Sequence, residues 1–269
     1  MMIEHSKNKN NHEGYDGHEE KQFMTSVRFA TSWFVMCVLC LSLTPRMNAQ
    51  EQVPVLAPGV HDQTLAQRSG PTIHYAISVP PNYRRGMPVP LVLALHFGGD
   101  PEGAGRAMLD ILVRPALADL GAIIVAPDSR AGGWSSAQNE TAVNALLAAV
   151  EKSYDIDQKK VIVTGYSMGG AGTWYWAEKY PERFSAAVPV SGRPTPSAAG
   201  WRVPVFAVHS RNDEVNPIGP TEARIAELKK QGVNAQMAVL TGITHFETYK
   251  YVYGLQQSVP WIQQIWKNR

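Results

Sequence analysis

A serine on a predicted tight turn is the feature of this sequence that most strongly indicates chemistry. The segment GYSMGG, residues 165–170, follows the apolar run VIVT and precedes a helical pattern. A serine at such a strand-to-helix turn projects its hydroxyl above the sheet, and the residues two before and two after it must be small. Gly165 and Gly169 meet this requirement. A glycine-rich packing turn is the alternative, but the flanking strand and helix favour Ser167 as a nucleophile.

A serine hydroxyl is a poor nucleophile unless a base takes its proton and an acid orients that base. Residues 50–269 contain five histidines: His61, His74, His96, His209 and His245. His245 is the best-placed base, because it follows the last predicted strand and comes after both the serine and the candidate acids. His61, His74 and His96 precede the serine in the chain. His209 follows the serine but precedes every candidate acid that comes after it.

Asp213 is the best-placed acid, five residues beyond the predicted strand VPVFAV. The chain order Ser167, Asp213, His245 then matches the order found in hydrolases that carry their serine on such a turn. The neighbouring Glu214 is the alternative acid, and Asp128 fits less well because it precedes the serine. We therefore expect the serine to attack, the histidine to carry the proton and the aspartate to orient the imidazole.

Two backbone N–H groups are expected to stabilise the negative oxygen that forms on an attacked carbonyl. One belongs to Met168, the residue after the nucleophile. The second is expected from the loop HFGGD that follows the strand LVLAL, where Gly98 is the first choice and Phe97 the second. His96 is expected to brace this loop through its ring nitrogens.

Aromatic residues in two loops are candidates for contact with a substrate. Trp134 follows two glycines in a loop after a buried strand, and Phe246 lies next to the candidate base. Residues 50–269 contain no phosphate-binding loop, dinucleotide fingerprint or cluster of metal ligands. The sequence therefore predicts neither a metal site nor a cofactor.

Short apolar strands alternate with helical patterns, which predicts an α/β fold. The expected architecture is a single domain with a mostly parallel central sheet and helices on both faces. The first predicted strand is 72–79, after an N-terminal lead-in, and one helix is predicted over 103–120. Only residues 191–202 separate two later strands, so no cap fits there. The cleft at this edge of the sheet should therefore be open.

The charge balance gives no reason to expect a polyanionic partner. The chain has 25 Lys and Arg against 23 Asp and Glu, a net charge of +2, with 44% hydrophobic and 18% charged residues. This composition is typical of a globular protein and gives nucleic-acid binding no support. Both cysteines, Cys37 and Cys40, lie before residue 50, which excludes a thiol nucleophile or a cysteine-based zinc site in the rest.

Residues 1–49 have the pattern of an N-terminal extension with a signal peptide. The 15-residue run Phe29–Leu43 is largely apolar and uncharged, and Arg28 precedes it. The run is shorter than the roughly 20 residues that a membrane-spanning helix needs. Translation from Met24 would give an ordinary signal length. We expect residues 50–269 to form a secreted or periplasmic catalytic domain without stable membrane association; a retained N-terminal membrane anchor is the alternative.

Four segments of the chain resemble the α/β-hydrolase superfamily: LALHFGGD, VIVTGYSMGGAGTWYWAEKYPERFSAAVPVSG, VPVFAVHSRNDEVNP and GITHF. Within it they are similar to the compact phospholipase/carboxylesterase group and to secreted esterases related to feruloyl esterases and polyhydroxybutyrate depolymerases. The resemblance implies a secreted serine hydrolase that cleaves carboxylic esters through an acyl-enzyme, with Ser167, Asp213 and His245 as its triad. One departure is that many relatives have His-Gly-x-Gly where this chain has HFGG at 96–99.

Two other functions use the same scaffold. One is a secreted serine peptidase that resembles the catalytic domain of the prolyl oligopeptidase group. The other is a non-catalytic binding module that has kept the hydrolase-like fold, although the full set of serine, aspartate and histidine argues against it. The expected partner of the favoured esterase is a small-molecule or polymer-attached ester, and the sequence does not predict an oligomeric state.

Overall fold

An eight-stranded sheet is the centre of the computed structural model, which describes residues 52–67 and 70–268. Its strands are β1 (Gly59–Leu65), β2 (Ile73–Val79), β3 (Val89–Leu95), β4 (Ile123–Pro127), β5 (Ile156–Tyr166), β6 (Ala186–Val190), β7 (Val205–Ser210) and β8 (Ala235–Leu240). Their order across the sheet is β1-β2-β4-β3-β5-β6-β7-β8. Strands β3 to β8 pair in parallel, whereas β1 and β2 are antiparallel to their neighbours. The predicted mostly parallel sheet is therefore confirmed.

Helices cover both faces of this sheet. They are α1 (Ala104–Met108), a π-helical segment (Leu109–Val113), α2 (Arg114–Leu117), a 3-10 turn (Ala118–Leu120), α3 (Ala137–Ser153), α4 (Met168–Lys179), α5 (Gly219–Lys230), a second 3-10 turn (Thr248–Tyr251), α6 (Val252–Gln256) and α7 (Ser258–Lys267). Residues of α3, α4 and α5 share one apolar core with the sheet, and residues of α1, α2, α6 and α7 share the other.

Strand β3 shows why these strands read as unbroken apolar runs. Its successive side chains point to opposite faces of the sheet. Leu91, Leu93 and Leu95 enter the core beneath α3 and α4, while Val92 and Ala94 enter the core on the other face. All five are fully buried. Burial of a valine or leucine side chain contributes about 1.5–3 kcal/mol, so a polar residue at any of these positions would be costly.

The helix predicted over 103–120 is confirmed as a continuous helical stretch over 104–120, but it is not a regular α-helix. The structure divides this stretch into α1, the π-helical segment, α2 and the 3-10 turn. Pro115 lies in the first turn of α2, where a proline is tolerated. Because proline has no N–H, it cannot continue the hydrogen-bond ladder of the preceding helical segment. The apolar period continues through the break, because Met108, Leu112 and Ala116 are all buried.

The N-terminal lead-in contains an unpredicted strand, β1. Its sequence, GVHDQTL, carries polar residues on much of its surface, and only Leu65 is buried. It pairs along its whole length with β2, from Gly59 opposite Val79 to Leu65 opposite Ile73. A half-solvated edge strand has a weak apolar pattern, which explains why it resembles a loop in the sequence.

The predicted N-terminal extension and signal peptide, residues 1–49, lie outside the described residues. Within the described ranges, every helix falls short of the length and apolar content that spanning a membrane requires.

Candidate active site

Ser167 occupies the turn between β5 and α4 in a conformation that few residues adopt. Its φ is 55° and its ψ is −111°. The turn is crowded by backbone from both sides. A Cβ on Gly165 would collide with the carbonyl of Gly169, and a Cβ on Gly169 would collide with the carbonyl of Leu95. The small residues at these two positions are therefore a steric requirement of the turn, as the sequence pattern indicates.

Three side chains from three different loops meet at the carboxyl edge of the sheet. His245 Nε2 lies 2.8 Å from Ser167 Oγ. On the other side of the ring, His245 Nδ1 lies 2.9 Å from each carboxylate oxygen of Asp213. Because a carboxylate only accepts, Nδ1 carries the proton and Nε2 is left to accept from the serine hydroxyl. We refer to these three residues as the triad.

The Asp213 carboxylate is fully buried and surrounded by donors. Oδ1 accepts from the backbone N–H groups of Val215 and Asn216 at 3.0 and 2.7 Å. Oδ2 accepts from the hydroxyl of Ser191 and lies 3.4 Å from Nε2 of His209. Burial alone would raise the pKa of this carboxyl. The close approach of the His209 ring and the hydrogen bonds from His245, Ser191 and Asn216 outweigh burial and hold the pKa of this carboxyl well below its usual range.

Glu214, the alternative acid, lies on the backbone side of the histidine. Its Oε2 accepts from the N–H of His245 at 3.0 Å. It therefore fixes the loop that carries the ring and leaves the ring nitrogens to Asp213 and Ser167. Asp128, the third acid considered, accepts from the N–H groups of Gly103 and Gly105 at 2.9 and 2.8 Å, so it caps the start of α1.

The loop that carries His245 is tied to the sheet at several points. The hydroxyl of Ser210, the last residue of β7, donates to Ile243 O at 2.6 Å. The N–H of Gly242 donates to Asn212 Oδ1 at 2.7 Å. The buried hydroxyl of Tyr166, the last residue of β5, donates to the carbonyl of His245 itself. These bonds position the imidazole before any substrate arrives.

The loop after β3 faces the start of α4, where the negative oxygen is expected. Met168 is the first residue of α4, and within the described chain no hydrogen-bond acceptor for its N–H is found. Gly98 is exposed, and a Cβ built on it would lie 3.9 Å from the Cβ of Met168. Phe97 is half-buried. Of the two predicted donor residues of this loop, Gly98 therefore borders the helix N-terminus beside Ser167.

His96 braces that loop through both ring nitrogens. Its Nδ1 lies 2.6 Å from Phe97 O, and its Nε2 accepts from the N–H of Ser129 at 2.8 Å. This pairing requires the neutral ring with its proton on Nδ1. Burial lowers the pKa of His96, which favours the same neutral form.

Trp134, predicted to contact a substrate, is instead only 2% exposed. Its Nε1–H donates to His96 O at 2.9 Å, and its ring packs edge-on against the His96 ring with centroids 5.0 Å apart. The side chain supports the β3 loop from beneath. Gly172 on α4 makes room for it, since a Cβ there would collide with Trp134.

Phe246, the second predicted contact residue, lies at the surface. Its side chain is 78% exposed, and its ring stands edge-on to the imidazole of His245 with centroids 5.7 Å apart. A large apolar side chain so exposed beside the triad is available to an incoming ligand.

Sequence reasoning did not identify the residues that surround Asp213. Ser191 and His209 are both buried and both reach its carboxylate. A signal for them exists, because each stands at the carboxyl end of a parallel strand, β6 or β7, where functional groups collect. As for metal, no grouping of three or more His, Cys, Asp or Glu suited to an ion occurs in residues 52–67 and 70–268.

The strand order, the mostly parallel sheet and the serine on its strand-to-helix turn together define the α/β-hydrolase fold. Residues 103–216 match the family model described as alpha/beta hydrolase fold. The chain has the α/β-hydrolase fold, and the matched residues include Ser167 and Asp213.

Comparison with individual proteins places this chain near esterases. It is 29% identical over 171 residues to a probable feruloyl esterase C from Aspergillus flavus, covering 61% of each chain. The chain thus spans about three fifths of that relative's length. Among solved structures, a thermostable esterase superposes with a TM-score of 0.66 at 22% identity, over 76% of this chain and 62% of that one. A ferulic acid esterase gives 0.61 at 18% identity, over 79% and 100%. These two structural likenesses are likenesses of fold.

Proposed function

We propose that the protein is a carboxylic-ester hydrolase that works through an acyl-enzyme on Ser167. The observation that carries the proposal is the continuous hydrogen-bonded path from Ser167 Oγ through His245 to Asp213. A hydroxyl, an imidazole and a buried carboxylate in this arrangement are the parts that acyl transfer by serine requires. The similarity to a probable feruloyl esterase supports an ester as the substrate.

The first half of the reaction transfers the acyl group to the serine. Ser167 Oγ attacks the ester carbonyl while His245 Nε2, 2.8 Å away, takes the hydroxyl proton. Asp213 keeps the proton on Nδ1 and stabilises the imidazolium that forms. The imidazolium then gives its Nε2 proton to the departing alcohol, and the acyl group stays on the serine oxygen.

The second half returns the enzyme to its starting state. Water attacks the acyl carbonyl and loses a proton to His245, and the carboxylic acid leaves as Ser167 regains its proton. In both halves the negative carbonyl oxygen is stabilised by the N–H of Met168 and by a donor from the β3 loop, with Gly98 preferred over Phe97. The start of α4 adds its positive dipole end at the same place.

The connection between β6 and β7 supports an open substrate site. Residues 191–204, all of them described, make this connection without a helix. We propose that the acyl or alcohol group reaches the serine from solvent and contacts Phe246. Export of the catalytic domain, residues 50–269, remains part of the proposal and rests on the apolar run Phe29–Leu43.

Replacement of Ser167 by alanine tests the proposal. We expect Ser167→Ala to lower kcat for p-nitrophenyl butyrate by about 10⁶-fold with an unchanged Tm, because the nucleophile is lost while the turn keeps its small side chain. Ser135→Ala, which alters an exposed serine in the loop before α3, is the matched control and should retain full activity. Unchanged turnover in Ser167→Ala would end the proposal.

A covalent probe and a peptide substrate separate the esterase from its alternatives. A fluorophosphonate should label Ser167 in the wild type with release of fluoride, and mass spectrometry locates the adduct. Absence of labelling would favour a binding module without activity. Faster cleavage of a peptide p-nitroanilide than of p-nitrophenyl butyrate by one preparation would favour the peptidase.

A further inference from the structure

Two serines share an uncommon backbone conformation. One of them belongs to the triad, and the other contacts it. Among the described residues, Ser167 and Ser191 are the non-glycine residues with positive φ, at 55° and 51°. A residue with a Cβ pays a steric cost in this region, and glycine would avoid it. The strain at Ser167 is explained by the turn, which brings its hydroxyl to 2.8 Å from His245 Nε2. The backbone strain at Ser191 needs a comparable explanation.

The surroundings of Ser191 supply that reason. Its backbone is fixed by an N–H bond to Val208 O at 2.8 Å and by the Asn216 side chain, whose Nδ2 donates to Ser191 O at 2.9 Å. The side chain is fully buried, and its hydroxyl donates to Oδ2 of Asp213. Since the carboxylate can only accept, the single hydroxyl proton is directed at it.

The other groups around the carboxylate do not duplicate this contact. His209 Nε2 lies 2.7 Å from Asn216 O but 3.4 Å from Asp213 Oδ2, so its proton belongs mainly to the carbonyl. The Tyr251 hydroxyl lies 3.3 Å from Ser191 Oγ, and the described residues show no hydrogen bond from it to Asp213. Ser191 is therefore the side-chain hydroxyl that holds Oδ2 in place while both oxygens face the imidazole.

We infer that Ser191 is a positioning residue of the triad, which orients the Asp213 carboxylate toward His245 and keeps it an acceptor throughout turnover. This inference rests on the proposed esterase function. The serine does not touch the substrate, because it is fully buried behind the aspartate. Its loss should therefore slow proton transfer and leave substrate binding unchanged.

The conformation of Ser191 makes glycine the informative substitution. Ser191→Gly removes the hydroxyl and relieves the backbone strain together, so Tm should stay level or rise while kcat falls about tenfold, the size expected for one hydrogen bond to a charged group. KM for p-nitrophenyl butyrate should stay within about twofold. Ser191→Ala, which keeps the strain, should lose the same kcat with a lower Tm.

Ser258→Ala is the matched control. Ser258, the first residue of α7, is also fully buried, and its hydroxyl donates to Leu255 O in α6 at 2.6 Å. Its loss should lower Tm and leave kcat unchanged. If Ser191 were only structural, Ser191→Gly would behave in the same way.

A double-mutant cycle shows whether Ser191 acts through Asp213. The rate of fluorophosphonate labelling of Ser167 should fall about tenfold on Ser191→Gly in the wild type, and should not fall further in the Asp213→Ala background. Wild-type kcat and labelling rate retained in Ser191→Gly, or an equal loss in both backgrounds, would overturn the inference. A wild type that neither hydrolyses esters nor reacts with the probe would instead overturn the proposed function.

Discussion

The two ends of the triad differ in how completely their polar groups are paired. At the acid end, the Asp213 carboxylate is buried, and both of its oxygens accept hydrogen bonds. At the nucleophile end, the N–H of Met168 has no acceptor in the described chain, and Gly98 is exposed beside it. The acid end is organised around a charge that is always present. In the proposed reaction, the other end keeps its donors for a charge that appears only transiently.

Among the groups that support the serine, the largest expected effect comes from removing the charge at the acid end. Asp213→Asn should lower kcat by about 10⁴-fold, because an amide cannot hold the imidazole in the required tautomer. Glu214→Gln is the matched control at the next position, since glutamine can still accept from the N–H of His245. It should keep kcat within about fivefold of the wild type. Stopped-flow and steady-state assays with p-nitrophenyl butyrate measure both, and equal losses would mean that the two acids share one role.

The next effect concerns the donors at the nucleophile end. Proline removes a backbone N–H, so Gly98→Pro should lower kcat by about 10²–10³-fold if this residue stabilises the oxyanion. Phe97→Pro tests the second choice in the same way, with Tm recorded for both. The larger loss identifies the donor. Two folded variants with wild-type kcat would exclude this loop from the oxyanion site.

The buried carboxylate should also make stability depend on pH. Its hydrogen bonds depress the pKa of Asp213 in the folded state. Such a group stabilises the fold above its unfolded pKa of about 4, and this contribution is lost as the pH falls toward the folded value. The free energy of unfolding of the wild type should therefore exceed that of Asp213→Asn most at neutral pH, and the gap should narrow below about pH 4. Urea titrations of both proteins across this range measure the gap, and a gap that widens on acidification would contradict the assignment.

The same contrast explains what the sequence could and could not predict. Ser167, Asp213 and His245 converge because each follows a parallel strand, and parallel strands end at one edge of the sheet. Such reasoning needs only strand assignments and chain order, which are strong where buried strands read as apolar runs. The same reasoning predicts the mostly parallel sheet. It does not predict the antiparallel edge strand β1, because the polar side chains of β1 give it no clear apolar pattern.

Such sequence patterns do not predict the direction of a side chain or the contacts between buried residues that are distant in the chain. Trp134 follows two glycines and resembles a surface residue, yet it turns inward because Gly172 leaves space for its ring. Ser191 contacts Asp213 only because β6 and β7 are neighbours and the backbone at Ser191 is left-handed. Both facts depend on the packing of distant elements, and no local period encodes them.

The smallest expected effect tests how open the nucleophile end is to a ligand. Phe246→Ala should raise KM for an aromatic acyl ester such as p-nitrophenyl ferulate by about threefold, because the lost ring contributes a modest apolar contact at an exposed site. The value of kcat should stay near that of the wild type, since the hydrogen bonds of His245 do not involve the ring. Met87→Ala is the control: it changes another exposed apolar side chain, in the loop before β3 at the opposite edge of the sheet. Identical KM values in both variants would show that the substrate does not contact Phe246.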